Sequence, residues 1–146
     1  MTITKALTAI KEMIQNSDVD TFDLLVGMNI YLPTEDDNRD YPCIDITDEG
    51  VEEHDILRGV FDPLSVDIKL CTTPNDDTLD GTTEAEHQAI VDQLYCLLAN
   101  INGIQELGAA TGLTVFDIRN PSVANSREDG KNTTTFSQDI TCCLDN

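Results

Sequence analysis

The chain has 146 residues, with 28 Asp and Glu against 8 Lys and Arg, a formal net charge of −20 and a pI near 4.1. A surface this acidic repels phosphate backbones. The cations Lys5, Lys11, Arg39, Arg58, Lys69, Arg119, Arg127 and Lys131 are too scattered to make a basic patch for nucleic acid or anionic lipid, so both binding classes are excluded. At this length a single domain, 1–146, is expected, and 40% hydrophobic residues suit a packed core that needs neither disulfides nor metal to fold.

The first predicted element is an amphipathic helix over 3–15, because Ile3, Leu7, Ile10 and Ile14 recur at spacings of four, three and four. Asn16-Ser17-Asp18 ends it. Over Phe22–Leu32 the period-two series Leu24, Val26, Met28, Ile30 and Leu32 predicts a strand. An acidic turn, 33–40, leads to a short strand, Tyr41–Thr47, whose proline suits a strand start or an edge. Residues 48–58 read as a polar connection, a projecting hairpin. In the strand that follows, Leu64, Val66, Ile68 and Leu70 alternate with Ser65, Asp67, Lys69 and Cys71, one dry face and one wet.

After a loop at 72–82, Thr83 and Glu86 stand at capping-box spacing. The helix they open carries Ile90, Leu94, Leu97, Leu98 and Ile101 on one face and stops before Gly103. Leu113–Ile118 is a strand, 120–132 a long polar loop, and the last strand carries Thr134, Phe136, Ile140, Cys142 and Leu144 on one face, with Gln138 the exception. The order α-β-β-β-α-β-β is that of an α+β domain, two helices packed on a largely antiparallel sheet.

No run approaches the roughly 18 apolar residues of a membrane span. Met1–Ile14 lacks a continuous apolar segment of signal-peptide type, so the expectation is a protein made and assembled in a cytoplasm. Cys43, Cys71, Cys96, Cys142 and Cys143 are odd in number and contain no C-x-x-C, which reads as free thiols packed as small hydrophobes and not as a zinc site. Asp76-Asp77-Thr78-Leu79-Asp80-Gly81 starts like a calcium loop, but its twelfth position is His87 where a bidentate Glu belongs. His54 and His87 each adjoin a carboxylate, yet no Ser or Cys nucleophile sits in a triad setting, and both read as solvated surface histidines. The pairs Asp36-Asp37, Glu52-Glu53 and Asp76-Asp77 lie in polar loops, where acids are solvated and do not form a buried acid/base dyad. There is no Gly-rich phosphate loop. The sequon Asn132-Thr133-Thr134 is idle without secretion. Catalysis has no support in these motifs.

Taken in order, the N-terminal helix, the strand Tyr41-Pro-Cys-Ile-Asp-Ile46, the alternating strand Leu64–Leu70, the helix Ala85–Leu98, the strand Leu113–Ile118 and Glu128-Asp-Gly-Lys131 before Thr134–Leu144 form a pattern. It resembles the tail terminator (tail completion) proteins of long-tailed bacterial and archaeal viruses, over nearly the whole chain. The resemblance implies a small non-enzymatic virion protein, with no cofactor or metal, that forms a ring, commonly six-fold. The ring caps the head-proximal end of the tail tube, stops tube polymerisation and joins the tail to the neck. Its implied partners are copies of itself, the tail tube protein and a neck or head-completion protein, with DNA passing through the lumen without specific binding. One ring face would copy the tube's stacking contact and the other would not, which ends a head-to-tail assembly. The polar segments 48–58, 72–82 and 119–132 are the implied contacts, with Glu52, Glu53, Asp55, Arg58, Arg119, Arg127, Glu128 and Lys131 as interface residues: among acidic subunits a cation beside a neighbour's carboxylate relieves repulsion and sets register. Competing readings are another neck component (an adaptor or tail-completion ring), an acidic protein-binding module, and a small enzyme.

The charge then takes on two further meanings. Subunits of this acidity around a DNA channel would repel passing phosphates, over about 8 Å at physiological salt. Asp outnumbers Glu 19 to 9 and only four lysines remain, a bias of the kind halophilic proteins use, so a salt-loving host is expected.

Overall fold

Helix α1 (Thr2–Gln15) forms over the predicted apolar stripe. Leu7, Ile10, Met13 and Ile14 are buried along it, and the Ser17 hydroxyl donates to the Ile14 carbonyl at 2.8 Å, which satisfies one of the acceptors a helix end leaves open. The computed structural model describes residues 2–33, 38–48, 63–74, 81–99, 113–118 and 121–144. No described helix is long and apolar enough to cross a membrane.

The sheet has six strands: β1 (Asn29–Tyr31), β2 (Cys43–Asp48), β3 (Pro63–Thr72), β4 (Leu113–Ile118), β5 (Ser122–Glu128) and β6 (Lys131–Leu144), in spatial order β1-β2-β3-β6-β4 with β5 also on β6. Among the described strands only β1–β2 is parallel. The long β6 pairs on one side with β3 over ten residue pairs, Pro63↔Thr141 to Thr72↔Asn132. On its other side it pairs first with β5 and then with β4, past a bulge between Val115 and Asp117.

Register places Ile44 against Leu70, Ile46 against Ile68, and Ile68 against Phe136. These side chains, with Val66 and Ile140, form the buried face on which α1 and helix α2 (Glu84–Leu98) pack, in a single apolar cluster. The α+β architecture, the order of the predicted elements and the largely antiparallel sheet are therefore as the sequence predicts, with one strand added, β5. Helix α2 opens on the expected capping box. The Thr83 hydroxyl accepts from the Glu86 amide at 3.1 Å, and the Glu86 carboxylate accepts from the Thr83 amide at 3.4 Å. The helix closes at Leu98 with Ala99 as its cap, so the predicted position of Ile101 lies outside the described residues.

Two expectations are corrected. Only 29–31 of the predicted strand over 22–32 is extended. The segment before it is a series of turns in which Leu25 is buried while Leu24 and Val26 are exposed, the reverse of the alternation. Those turns are held by the Asp18 carboxylate, which accepts from the Thr21 hydroxyl at 2.7 Å, and by Gly27 at φ 79, and they dock on α2. There the Gln93 amide accepts from the Leu24 backbone at 3.0 Å and donates to Asp23 at 2.8 Å. The polar loop expected at 120–132 is instead β5 and a tight hairpin into β6, because Asp129 (φ 51) and Gly130 (φ 75) form the two-residue turn whose twist matches antiparallel strands. Gln138, the polar exception on the last strand, is buried and donates to the Leu98 carbonyl at 3.0 Å, so it completes the end of α2. The calcium-like loop at 76–80 and most of the projecting segment 48–58 lie outside the described residues.

The capping bonds at Thr83 are exposed and local. Thr83→Ala should lower stability in urea denaturation by about 1 kcal/mol without changing the fold seen by circular dichroism. An unchanged midpoint would mean the box does not hold the start of α2.

Candidate functional site

Among the expected interface residues, Glu52, Glu53, Asp55, Arg58 and Arg119 lie outside the described residues, as does His54. The structure brings Arg127, Glu128 and Lys131 together at the tip of the β5–β6 hairpin, where Glu128 and Lys131 are the pair that closes the turn. Every β5 residue is exposed, and among the described strands β5 pairs with β6 alone, so its outer edge presents seven residues of backbone. The tip also leans on the sheet. Lys69 Nζ donates to the Glu128 carboxylate at 3.2 Å, and Lys131 Nζ lies 5.0 Å from the centre of the Tyr41 ring. Asp-Gly between alternating stretches was the sequence signal for this hairpin.

The sheet face turned away from the helices carries two polar rows. One runs Cys43, Cys71, Thr133 across β2, β3 and β6; the next runs Asp45, Lys69, Thr135. Cys43, Cys71 and Thr133 are buried although they lie opposite the main core. The thiols meet, and together with one Asp45 carboxylate oxygen their sulfurs form a group whose members all lie within 4.8 Å of one another. The hydrogen bond that Cys43 donates to Cys71, with burial second, pushes the Cys43 thiol up. The same bond holds the Cys71 thiol down, against its burial and with help from the Thr133 hydroxyl. Asp45 is fixed from behind by Arg39, Nε to carboxylate 2.9 Å, and the Arg39 guanidinium stacks 4.3 Å over the Tyr31 ring. Burial raises the Tyr41 hydroxyl, with Cys43 and Cys71 adding to the effect. Sequence spacing could not reveal this cluster, because strand pairing brings together residues 28 positions apart.

A third polar group corrects an expectation. His87 is not solvated: it is buried on the apolar side of α2, 8% exposed. Its Nδ1 lies 2.8 Å from the Thr72 hydroxyl and its Nε2 2.8 Å from the Thr134 hydroxyl, which in turn donates to Asn125 at 2.7 Å. Since Thr134 has spent its one proton on Asn125, it accepts from Nε2–H, and Thr72 must donate to Nδ1. The chain therefore sets one neutral tautomer and links β3, α2, β6 and β5. Beside it opens a polar cavity of about 450 Å³ lined by Glu84, Gln88, Asn125, Ser126 and Asn132 among others. The signal was present in sequence: His87 precedes Ile90 and Val91 by three and four positions and so shares their helix face.

No protein-family model matches this chain, and no curated protein matches it.

Burial lowers the His87 pKa below its ordinary value near 6.5. The unfolded chain thus binds the proton more readily, and the contribution of neutral His87 is complete above the unfolded value and is lost as pH falls through it toward the folded one. The melting temperature should fall between about pH 7.5 and about pH 5.5. His87→Gln should flatten that slope while lowering stability at the higher pH. A slope unchanged in His87→Gln would assign the pH dependence elsewhere.

Proposed function

We propose that this chain is a structural protein of a long-tailed virus, forming a ring that caps the head-proximal end of the tail tube, stops its polymerisation and joins the tail to the neck. The observation that carries the reading is the open edge of β5 next to a charged hairpin tip. A ring subunit needs two different surfaces that fit one another between neighbours, and a strand edge of seven residues supplies backbone donors and acceptors for one of them. Arg127, Glu128 and Lys131 flank that edge with both signs of charge, which would hold one register against a neighbour and disfavour indiscriminate pairing. The agreement between the element order found and the order that carries the family resemblance supports the same reading. Copies of the chain, the tube protein and a neck protein are its proposed partners, the assembled virion its proposed location, and its role is not enzymatic.

Negatively stained images should contain closed rings, including rings seated on tube ends when tube protein is added. A monomer under all conditions, or rings that never engage tube ends, would overturn the terminator reading; binding only to a neck component would favour an adaptor. Arg127→Ser combined with Lys131→Ser should keep the circular dichroism spectrum while reducing the ring fraction in native mass spectrometry at least several-fold; an undiminished ring would remove the hairpin tip from the interface.

The charge adds a condition, since self-repulsion among acidic subunits is screened only by salt. Rings and fold should both be stable in molar salt and weaken in dilute buffer. Undiminished stability in dilute buffer would refute the high-salt adaptation and leave the ring proposal to the microscopy.

A further inference from the structure

We propose that Cys43, Cys71 and Asp45 form a binding site for one thiophilic divalent cation, with Zn²⁺ the natural occupant. Two sulfurs and a carboxylate oxygen are a donor set that suits zinc better than calcium or magnesium, which take oxygen ligands. The geometry is close to what zinc requires. Tetrahedral coordination at Zn–S distances of about 2.3 Å sets the sulfurs about 3.8 Å apart, and the three ligand atoms already lie within 4.8 Å of one another. Closing the difference takes small side-chain rotations and no backbone movement, because pairing of β2 with β3 sets Cys43 directly opposite Cys71 and Asp45 two residues along on the same face.

The surroundings match those of a metal centre. Asp45 is oriented by the Arg39 guanidinium at 2.9 Å, and the Thr133 hydroxyl points to the Cys71 sulfur, contacts of the kind that orient and tune metal ligands. Binding replaces protons with metal: the two thiols release two protons, two thiolates and the Asp45 carboxylate bring three negative charges, and the cation and Arg39 balance them. Zinc would thereby stabilise a buried pair of thiolates that are costly without it. Asp45, Arg39 and Lys69 also line a cavity of about 380 Å³, so the carboxylate side of the site borders open space. The proposal is independent of the ring.

The test is a cobalt titration of the reduced full-length protein in chelator-free buffer without oxygen. One Co²⁺ per chain should appear with thiolate-to-metal charge-transfer absorption and the visible bands of tetrahedral cobalt, and Zn²⁺ should displace it. Cys43→Ser and Cys71→Ser should each weaken binding at least about tenfold, whereas Cys96→Ser and the double variant Cys142→Ser, Cys143→Ser should leave it unchanged. Should a serine variant fail to fold, Asp45→Asn carries the test: Zn²⁺ should raise the melting temperature of the unmodified protein and do so much less in Asp45→Asn. Absence of the charge-transfer band, the same band in the folded Cys43 and Cys71 variants, or an equal zinc shift in Asp45→Asn would overturn the site. So would reduced protein that takes up no metal and forms a Cys43–Cys71 disulfide in air.

Discussion

The ten-pair antiparallel register between β3 and β6 is the constraint on which the other features rest. Because side chains alternate with a period of two, a slip of one residue would move Val66, Ile68 and Leu70 away from the helices and put Asp67 and Lys69 among them. The register also propagates outward. β2 takes its alignment from β3, and β4 and β5 take theirs from β6, so one set of backbone pairings decides both the apolar face and the polar rows behind it. The cysteine pair, its aspartate and the hairpin tip all owe their positions to it.

Polar groups within the buried face show how tightly the helices are seated. Gln138 and His87 would each cost about 1–3 kcal/mol if buried without partners. Gln138 donates to the last turn of α2, and His87 joins the first turn of that helix to two strands, β3 and β6. The two contacts tie α2 to the sheet near both its ends, which apolar packing alone, being non-directional, does not do. The link continues through Thr134 to Asn125, so the β5 strand that presents the open edge is connected to the core by a hydrogen-bond chain as well as by its pairing with β6.

The scarce cations have a spatial logic that their spacing in sequence conceals. Arg39 meets Asp45, Lys69 meets Glu128, and Lys131 meets Tyr41, all on the sheet face opposite the helices. The exposed pair Lys69–Glu128 contributes little stability. The effect of the three contacts is to place positive charge around a buried pair of thiols and a carboxylate, and at the tip of an exposed strand, in a chain whose charge elsewhere is overwhelmingly negative. The acidity that argues against nucleic-acid binding thus frames a small region that carries both signs of charge.

Local periodicity was sufficient for α1, β3, the start of α2 and the α+β class, because a helix stripe, strict alternation and a capping box are each written in adjacent residues. It misled at Phe22–Leu32, where alternation held in sequence but Asp18, Gly27 and the docking of Gln93 favoured turns. It left β5 unread, since a fully exposed edge strand has no apolar face to mark it and Asp129-Gly130 was its only sign. His87 could have been placed from its helical phase, but its two partners, Thr72 of β3 and Thr134 of β6, could not. By itself the sequence determined which faces are dry and how much negative charge the molecule carries, both being sums over local residues. The meeting of Cys43 with Cys71, the neutral tautomer of His87 and the exposed edge beside Arg127 and Lys131 were decided only by tertiary structure, because strand pairing makes neighbours of residues that the chain itself keeps far apart.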